Sequence, residues 1–554
     1  MRFLIAFAVT IAAAAMSFTC PAMELYVDPV NGDDSNDGSS WGNALKTITK
    51  AGELSETLDT TNIHLAEGLF SEDTGEVFPI TLYNLESMSG VSRDKTVIDV
   101  GLSLGIFVFG GVARGDDDTA SIETLCISRS GPVDYHEYSD PAAFTEIGRY
   151  AYLELRDVHL LGLRSGGYYS QHIYEGELTE LRFLHCLLTD SDIRIHAKAG
   201  WLYYVGFLDS VFVYTTDFGP NQPYVEIYPK DSAWLCGCRF RSIGEYPAHM
   251  GLVSAGYNDT PIFNCAFEDM ELDFYGGWRK MWIVGCTFRS SLLEVGTDYN
   301  DVWIQASILD DDTELRSGLG GPTRIMTYQT RLTPDIILVG DFEIIGSHPL
   351  EGNPQFVPGP LGDLYLSNAS SGQTATSCCV GEIEHPATYF PEAYEYLTGP
   401  WPPTGTTTRT DGTPDAGYPY DAGYHYPSVA PPPPALHLET DRAEYSPGDE
   451  MILFGGYENR GVKVEGAIYA AFGPQTLDWL VYWPSMTFDP APVSKGIFYS
   501  GVALPTIPLD TLTVPDALQA GNYAWLGLVL NSDGSLASDL CVSRLTIRPQ
   551  GGAR

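Results

Sequence analysis

The sequence predicts an all-β chain, a parallel β-helix with an N-terminal capping helix followed by a small β-sandwich. Three observations carry the prediction. The first is repetition: between residues 180 and 310 a small residue, any residue and a bulky apolar one recur six times, 21 to 28 residues apart. The copies are Cys186-Leu187-Leu188, Ser210-Val211-Phe212, Cys238-Arg239-Phe240, Cys265-Ala266-Phe267, Cys286-Thr287-Phe288 and Ser307-Ile308-Leu309. A short period without a helical pattern between copies marks a solenoid whose small and large side chains stack in columns inside a tube. The second is alternation, since i and i+2 share one face of a strand. It extends backwards through Trp234, Cys236, Cys238 and Phe240, and through Trp282, Val284, Cys286 and Phe288, and predicts that these all point into the tube. The third is a change of texture near Pro431–Pro434, after which short alternating runs separated by turn residues predict a sandwich.

In chain order, residues 1–22 read as a secretory signal, with Arg2, the apolar run Phe3 to Phe18 and the cleavage site Cys20-Pro21-Ala22. Export to the extracellular space or cell surface is therefore expected. No later run is long and apolar enough to span a membrane. Residues 44–58 have a helical period, with Ala44, Leu45, Ile48, Ala51, Leu54 and Leu58 on one side. Such a helix suits the lid that an open solenoid end requires. The β-helix is expected over 23–350, a Pro- and Gly-rich closing segment over 351–435 and the sandwich over 436–548.

The net charge is −42, from 72 acidic against 30 basic residues. Such a field repels phosphate backbones, which argues against nucleic acid, and it disfavours anionic glycans unless divalent cations bridge them. The 10 cysteines are too few for a disulfide scaffold. Cys186, Cys238, Cys265 and Cys286 are expected to be buried thiols in one inward column, and Cys378-Cys379 could bridge outward.

The segment Leu25 to Trp41, with Ala44-Leu45-Lys46-Thr47-Ile48, Ile63 to Gly68, Phe78 to Leu82 and Asp94 to Asp99, resembles secreted right-handed parallel β-helix proteins. They belong to the pectate-lyase-like superfamily, and the nearest group is the one named for a domain of unknown function 1565. The stretch from Gly362 to Ser367 and that from Thr408 to Tyr426 resemble the closing segment common after such helices. The region after Leu436, with Tyr445-Ser446-Pro447-Gly448-Asp449, resembles immunoglobulin-like modules. The resemblance implies a right-handed coil and a polysaccharide or cell-surface glycan as partner. It does not extend to a catalytic set. The calcium cluster and paired arginines of pectate lyases are missing, and Arg194-Ile195-His196 matches only one fragment of the polygalacturonase set.

Outward residues that alternate with the inward ones form ladders from coil to coil. Counting from the repeat places Asp269, Glu271 and Asp273 in one outward row, with Glu294 beside Asp273 in the next coil. Paired carboxylates can share a proton, hold calcium or divide the roles of glycoside hydrolysis. Asp190, Asp192, Arg194 and His196 form an earlier outward row, while Trp278 and Arg279 offer a ring and a cation for glycan contact. Asp28, Asp33, Asp34, Asn36 and Asp37, with Asn31, crowd a Gly-turned loop that could bind Ca²⁺, although asparagine, aspartate and glycine also build turns without metal. The expected role is carbohydrate binding or adhesion outside the cell. A polysaccharide lyase or glycoside hydrolase acting from the acidic groove is the alternative, and a purely structural module the third.

Overall fold

A residue with left-handed backbone marks the same corner in coil after coil, and the architecture follows from it. Thr124, Asp157, His185, Asp209, Gly237, Asn264, Gly285, Ala306 and Gln329 all have φ between 44° and 67°. Each ends a strand of one sheet and aims the chain into a strand of the next. Gly162, Asp190, Asp269 and Ser290 repeat the device at a second corner, before the third sheet. Glycine, asparagine and aspartate suit such positions because they tolerate positive φ.

The computed structural model describes residues 22–549 apart from single positions such as Asp192 and stretches that include 102–105, 111–118, 130–143, 164–171, 216–223, 254–259, 276–279, 296–300, 384–405 and 415–420. Three sheets run along the solenoid. The first has 13 strands, from Met23–Val27 to Phe342–Ser347. The second has 11, from Gly68–Phe70 to Arg331–Leu332, and the third has 11, from Ile80–Tyr83 to Ile337–Val339. Neighbouring strands are parallel in every described register of these sheets, for example Phe240 beside Phe267 and Phe267 beside Phe288. The chain is thus a parallel β-solenoid with very little helix.

Both columns predicted from the repeat are present. Phe212, Phe240, Phe267 and Phe288 are fully buried and stack with ring centroids 4.2, 5.1 and 5.0 Å apart. Cys186, Ser210, Cys238, Cys265, Cys286 and Ser307 form the small column, almost wholly buried. Their smallness has a chemical reason as well as a steric one. Cys186 Sγ donates to Leu155 O at 3.1 Å, Ser210 Oγ to Phe183 O at 3.3 Å and Cys238 Sγ to Phe207 O at 3.4 Å, each reaching a carbonyl of the preceding coil. All nine described cysteines are free thiols, Cys378 and Cys379 included, so the outward bridge considered for that pair is not formed.

Alternation does not pass through the corner, however, and this corrects the inward placement of Trp234, Cys236, Trp282 and Val284, the two smaller residues lying in the outward row that runs through exposed Arg156. Gly237 and Gly285 reset the phase, so Leu235 and Ile283 are the inward residues of their strands while Trp234 and Trp282 lie in the opposite, outward row. That row runs from Glu154 and Arg182 through Gly206, Trp234 and Pro261 to Trp282. Trp282 stacks on Trp303 at 5.3 Å with Lys280 Nζ over both rings, which explains how an outward tryptophan is 2% exposed.

The capping helix spans Ile48–Ser55, shorter than its periodicity predicts. Leu45 forms a bridge to Val27 on the edge of the first strand, so the helix starts only after Thr47, whose side chain accepts from Lys50 N–H. The buried Glu76 carboxylate accepts from the N–H groups of Ile48 and Thr49 and from Thr49 Oγ1, satisfying donors that a helix leaves open at its start. Ser55 Oγ accepts from Tyr83 N–H at 2.9 Å and closes the edge of the third sheet. Gly52 permits this approach, because a Cβ there would lie 2.1 Å from Thr81 O.

The chain divides into two compact units, residues 1–304 with 309–327 and 334–346, and residues 305–308 with 328–333 and 347–554. The second unit contains an apolar cluster of Ala306, Ile308, Leu350, Leu366, Cys379, Ile383 and Ala422. It also contains a β-sandwich. One sheet pairs Ala435–Thr440, Glu450–Asn459 and Val502–Thr513, and the other is built around Val464–Pro474, Gly521–Asn531 and Cys541–Ile547. Leu453 from the first sheet and Phe472, Trp525 and Leu545 from the second share one buried core. No helix among the described residues is long and apolar enough to cross a membrane.

Candidate functional site

The outer face of the third sheet gathers three of the predicted carboxylates, Glu271, Asp273 and Glu294. Met250, Leu252, Leu272, Phe274, Leu293 and Leu315 fill the lumen at zero exposure, so the residues between them must face outward. Register then sets the neighbours. His249 lies beside Glu271, and Gly251 beside Asp273. Asp273 lies beside Glu294, and Glu294 beside Arg316. The predicted pairing of Asp273 with Glu294 is therefore present. In backbone register Arg194 pairs with Glu226 and Glu226 with Gly251, so the position of Arg194 falls in the same row.

His249 is the residue that sequence reasoning missed. Its Nε2 lies 2.6 Å from Asp273 Oδ2, with the two side chains 16% and 14% exposed. Gly251 has no side chain beside Asp273, which leaves room for the imidazole to reach diagonally across. One ligand atom each from His249, Glu271 and Asp273 lie within 4.8 Å of one another, close enough to share a divalent cation. One nitrogen and two carboxylate oxygens suit zinc or manganese better than calcium, which prefers oxygen throughout. Glu294 Oε2 is 3.6 Å from Arg316, which also holds Glu314 at 2.9 Å. The face thus offers half-buried acceptors, a histidine and an ion-paired arginine at adjacent coils.

The other predicted residues separate from this group. Asp269 sits at the left-handed corner, exposed, one residue before the strand Met270–Tyr275, and so does not join the row of Glu271 and Asp273. Asp190 occupies the equivalent corner three coils away, where its carboxylate accepts from Thr215 N–H at 2.8 Å and from Thr215 Oγ1 at 2.7 Å. It ties one coil to the next instead of facing a ligand. Arg194 and His196 are on the strand Ile193–His196, while Asp192, Trp278 and Arg279 lie outside the described residues. In the N-terminal loop, Asp28 accepts from Val30 and Asn31, Asp33 from Ser35, and Asp37 from Ser39. Asp34 accepts from Lys46 and Thr47, and Asn36 donates to Ala44 O. Those oxygens are committed to their own turns and to the helix start, and hydrogen bonds from backbone and side-chain donors hold the Asp33 and Asp37 carboxyls below the usual range.

Residues 30–125 match a family described as a protein of unknown function (DUF1565). The chain is a β-helix protein. The match covers the capping helix and the first coils and ends well before His249. Among solved structures, a GH136 lacto-N-biosidase from Eubacterium ramulus aligns with 59% of this chain and 67% of its own at 11% identity, with a TM-score of 0.24. No curated protein matches the chain.

Proposed function

We propose that the protein is an exported β-helix protein that binds carbohydrate on the outer face of its third sheet. The observation that carries this reading is the convergence of His249, Glu271, Asp273 and Glu294 on adjacent coils, beside Arg316. Sugars offer hydroxyls as both donors and acceptors. Carboxylates accept hydrogen bonds from the hydroxyls, while imidazole and guanidinium supply donors. With a net charge of −42 the ligand is a neutral glycan, since an acidic one would be repelled. Repetition of the coil supports an extended ligand, because successive sugars can meet successive rungs.

Hydrolysis is a second reading favoured by one distance. One oxygen each of Glu271 and Asp273 lie no more than 4.8 Å apart, a spacing short enough for the retaining arrangement, in which one group protonates the leaving oxygen and the other attacks, and too short for the wider inverting one. The test is calorimetry with a panel of neutral and acidic polysaccharides, coupled to an assay for new reducing ends. Binding of a neutral glycan that Asp273→Asn weakens at least tenfold supports the first reading. Reducing ends that vanish in the same variant support the second, and a panel with neither would sink both.

A further inference from the structure

On the outer face of the first sheet, at the opposite end of the solenoid from the carboxylate row, three consecutive strands align a carboxylate, an imidazole and a hydroxyl. Glu24 Oε2 is 2.5 Å from His64 Nε2, and Ser89 Oγ is 3.3 Å from His64 Nδ1. Tyr26, His64 and Ser89 form one register row, while Glu24, Asn62 and Ser87 form the next. From this juxtaposition we infer that Ser89 is a nucleophile activated by His64 and oriented through Glu24, in a site for cleavage of acyl esters.

The hydrogen bonds assign the proton. A carboxylate only accepts, so the imidazole hydrogen lies on Nε2, and Nδ1 presents its lone pair to Ser89. Glu24 is itself held, since Asn62 Nδ2 donates to its Oε1 at 3.0 Å and Ser87 Oγ donates to Asn62 Oδ1 at 2.8 Å. The hydrogen bonds from Asn62 and His64 keep the Glu24 carboxyl below its usual range and hence ionised, as an orienting group requires. Backbone irregularity points to the same place. The strand Leu85–Ser89 slips register against Thr61–Leu65 between Thr61 and Asn62, with Glu86 as the extra residue. Leu85 and Met88 are both buried, so the bulge reverses the phase and brings Ser87 and Ser89 outward beside Asn62 and His64. Bulges are enriched next to active sites because they re-aim side chains in this way.

In the reaction, Ser89 Oγ attacks the ester carbonyl carbon as its proton passes to His64 Nδ1. The C–O bond to the alcohol then breaks, and the alcohol leaves with that proton. Water attacks the acyl-serine with His64 again as base, releasing the carboxylic acid and restoring Ser89. The surroundings suggest the ester. Tyr26 stacks on the His64 ring at 5.0 Å, and Trp41, 51% exposed, meets Tyr26 edge-on at 4.9 Å. An exposed tryptophan beside a half-buried tyrosine suits a sugar polymer laid flat, with a pendant acetyl group reaching Ser89. That choice of ester rests on the carbohydrate reading above, whereas the nucleophile does not.

The experiment exposes the full chain to a fluorophosphonate probe, locates the adduct by peptide mass spectrometry, and follows release of acetate from p-nitrophenyl acetate and from acetylated xylan. The adduct is expected on Ser89. Ser89→Ala and His64→Gln are each expected to slow p-nitrophenyl acetate turnover at least about 100-fold. Glu24→Gln is expected to lower kcat about tenfold with KM unchanged, a split that a merely structural role would not produce. An adduct on another residue, no adduct on the folded wild-type chain, or full activity in Ser89→Ala with an unchanged melting temperature would overturn the assignment. Labelling of Ser89 without deacetylation of xylan would uphold the nucleophile and overturn the glycan ester.

Discussion

Phe267→Ala is the most revealing perturbation of the tube. The ring is fully buried in the second-sheet column, between Phe240 at 5.1 Å and Phe288 at 5.0 Å, so truncation removes stacking on both faces and opens a cavity between three coils. Phenylalanine-to-alanine changes in cores cost about 3–5 kcal/mol, and a site whose neighbours are fixed by parallel pairing cannot collapse to recover much of it. In a solenoid each coil is stabilised by its neighbours, so the loss falls on the interfaces either side of this coil. At the ~2–4 °C per kcal/mol typical of large domains, the unfolding midpoint should fall by roughly 6 °C or more. Thermal and urea unfolding of the full chain, followed by near-ultraviolet circular dichroism, measures it. Glu67→Ala serves as the control, since Glu67 and its partner Lys95 are 66% and 60% exposed and their pairing is worth at most about 1 kcal/mol. A loss below about 1 kcal/mol for Phe267→Ala would mean that the column does not hold the coils together.

Three further outcomes are expected. Gly52→Ala gains about 1 kcal/mol of helix propensity but places a Cβ 2.1 Å from Thr81 O, so a net loss of about 1–3 kcal/mol should appear in a thermal melt. Arg239→Met removes the guanidinium 2.7–2.8 Å from Glu268, whose side chain is 2% exposed, and should cost about 3–5 kcal/mol in urea unfolding; adding Glu268→Leu should restore much of it. The hydrogen bond from Cys379, 3.6 Å away, pulls the Cys378 thiol down to about 7. Iodoacetamide should therefore label Cys378 faster as the pH rises through that value, while Cys186, Cys238, Cys265 and Cys286 stay unlabelled until unfolding, as peptide mass spectrometry would show.

How far the sequence could be read depended on the corners. From Cys265 to Cys286 the spacing equals that from Asp273 to Glu294, so counting aligned the two carboxylates correctly. His249 escaped because residues 243–247 intervene between Ser242 and the third-sheet strand, which moves its first residue from five positions after Cys265 to ten after Cys238. The alternation Ala248-His249-Met250-Gly251-Leu252 was the available signal. Trp234 and Trp282 were assigned to the lumen by carrying period two through Gly237 and Gly285, where positive φ turns the chain and the phase restarts. Asp190 and Asp269 were assigned to ladders, although aspartate is among the residues most at ease in a left-handed corner. The relay joins Glu24 and Ser89, 65 positions apart, through His64 and depends on a bulge at Glu86, which no local pattern announces.

The measurement that bears most directly on the proposed function is a double-mutant cycle on glycan affinity, using His249→Ala, Asp273→Asn and the double variant in calorimetry with the neutral polysaccharide that binds best. If the two side chains act together on the ligand, each single variant loses at least tenfold in affinity. The double variant then loses less than the product of the two, with a coupling of about 0.5–3 kcal/mol. Affinity unchanged in all three folded variants would place carbohydrate recognition elsewhere on the chain and contradict the account.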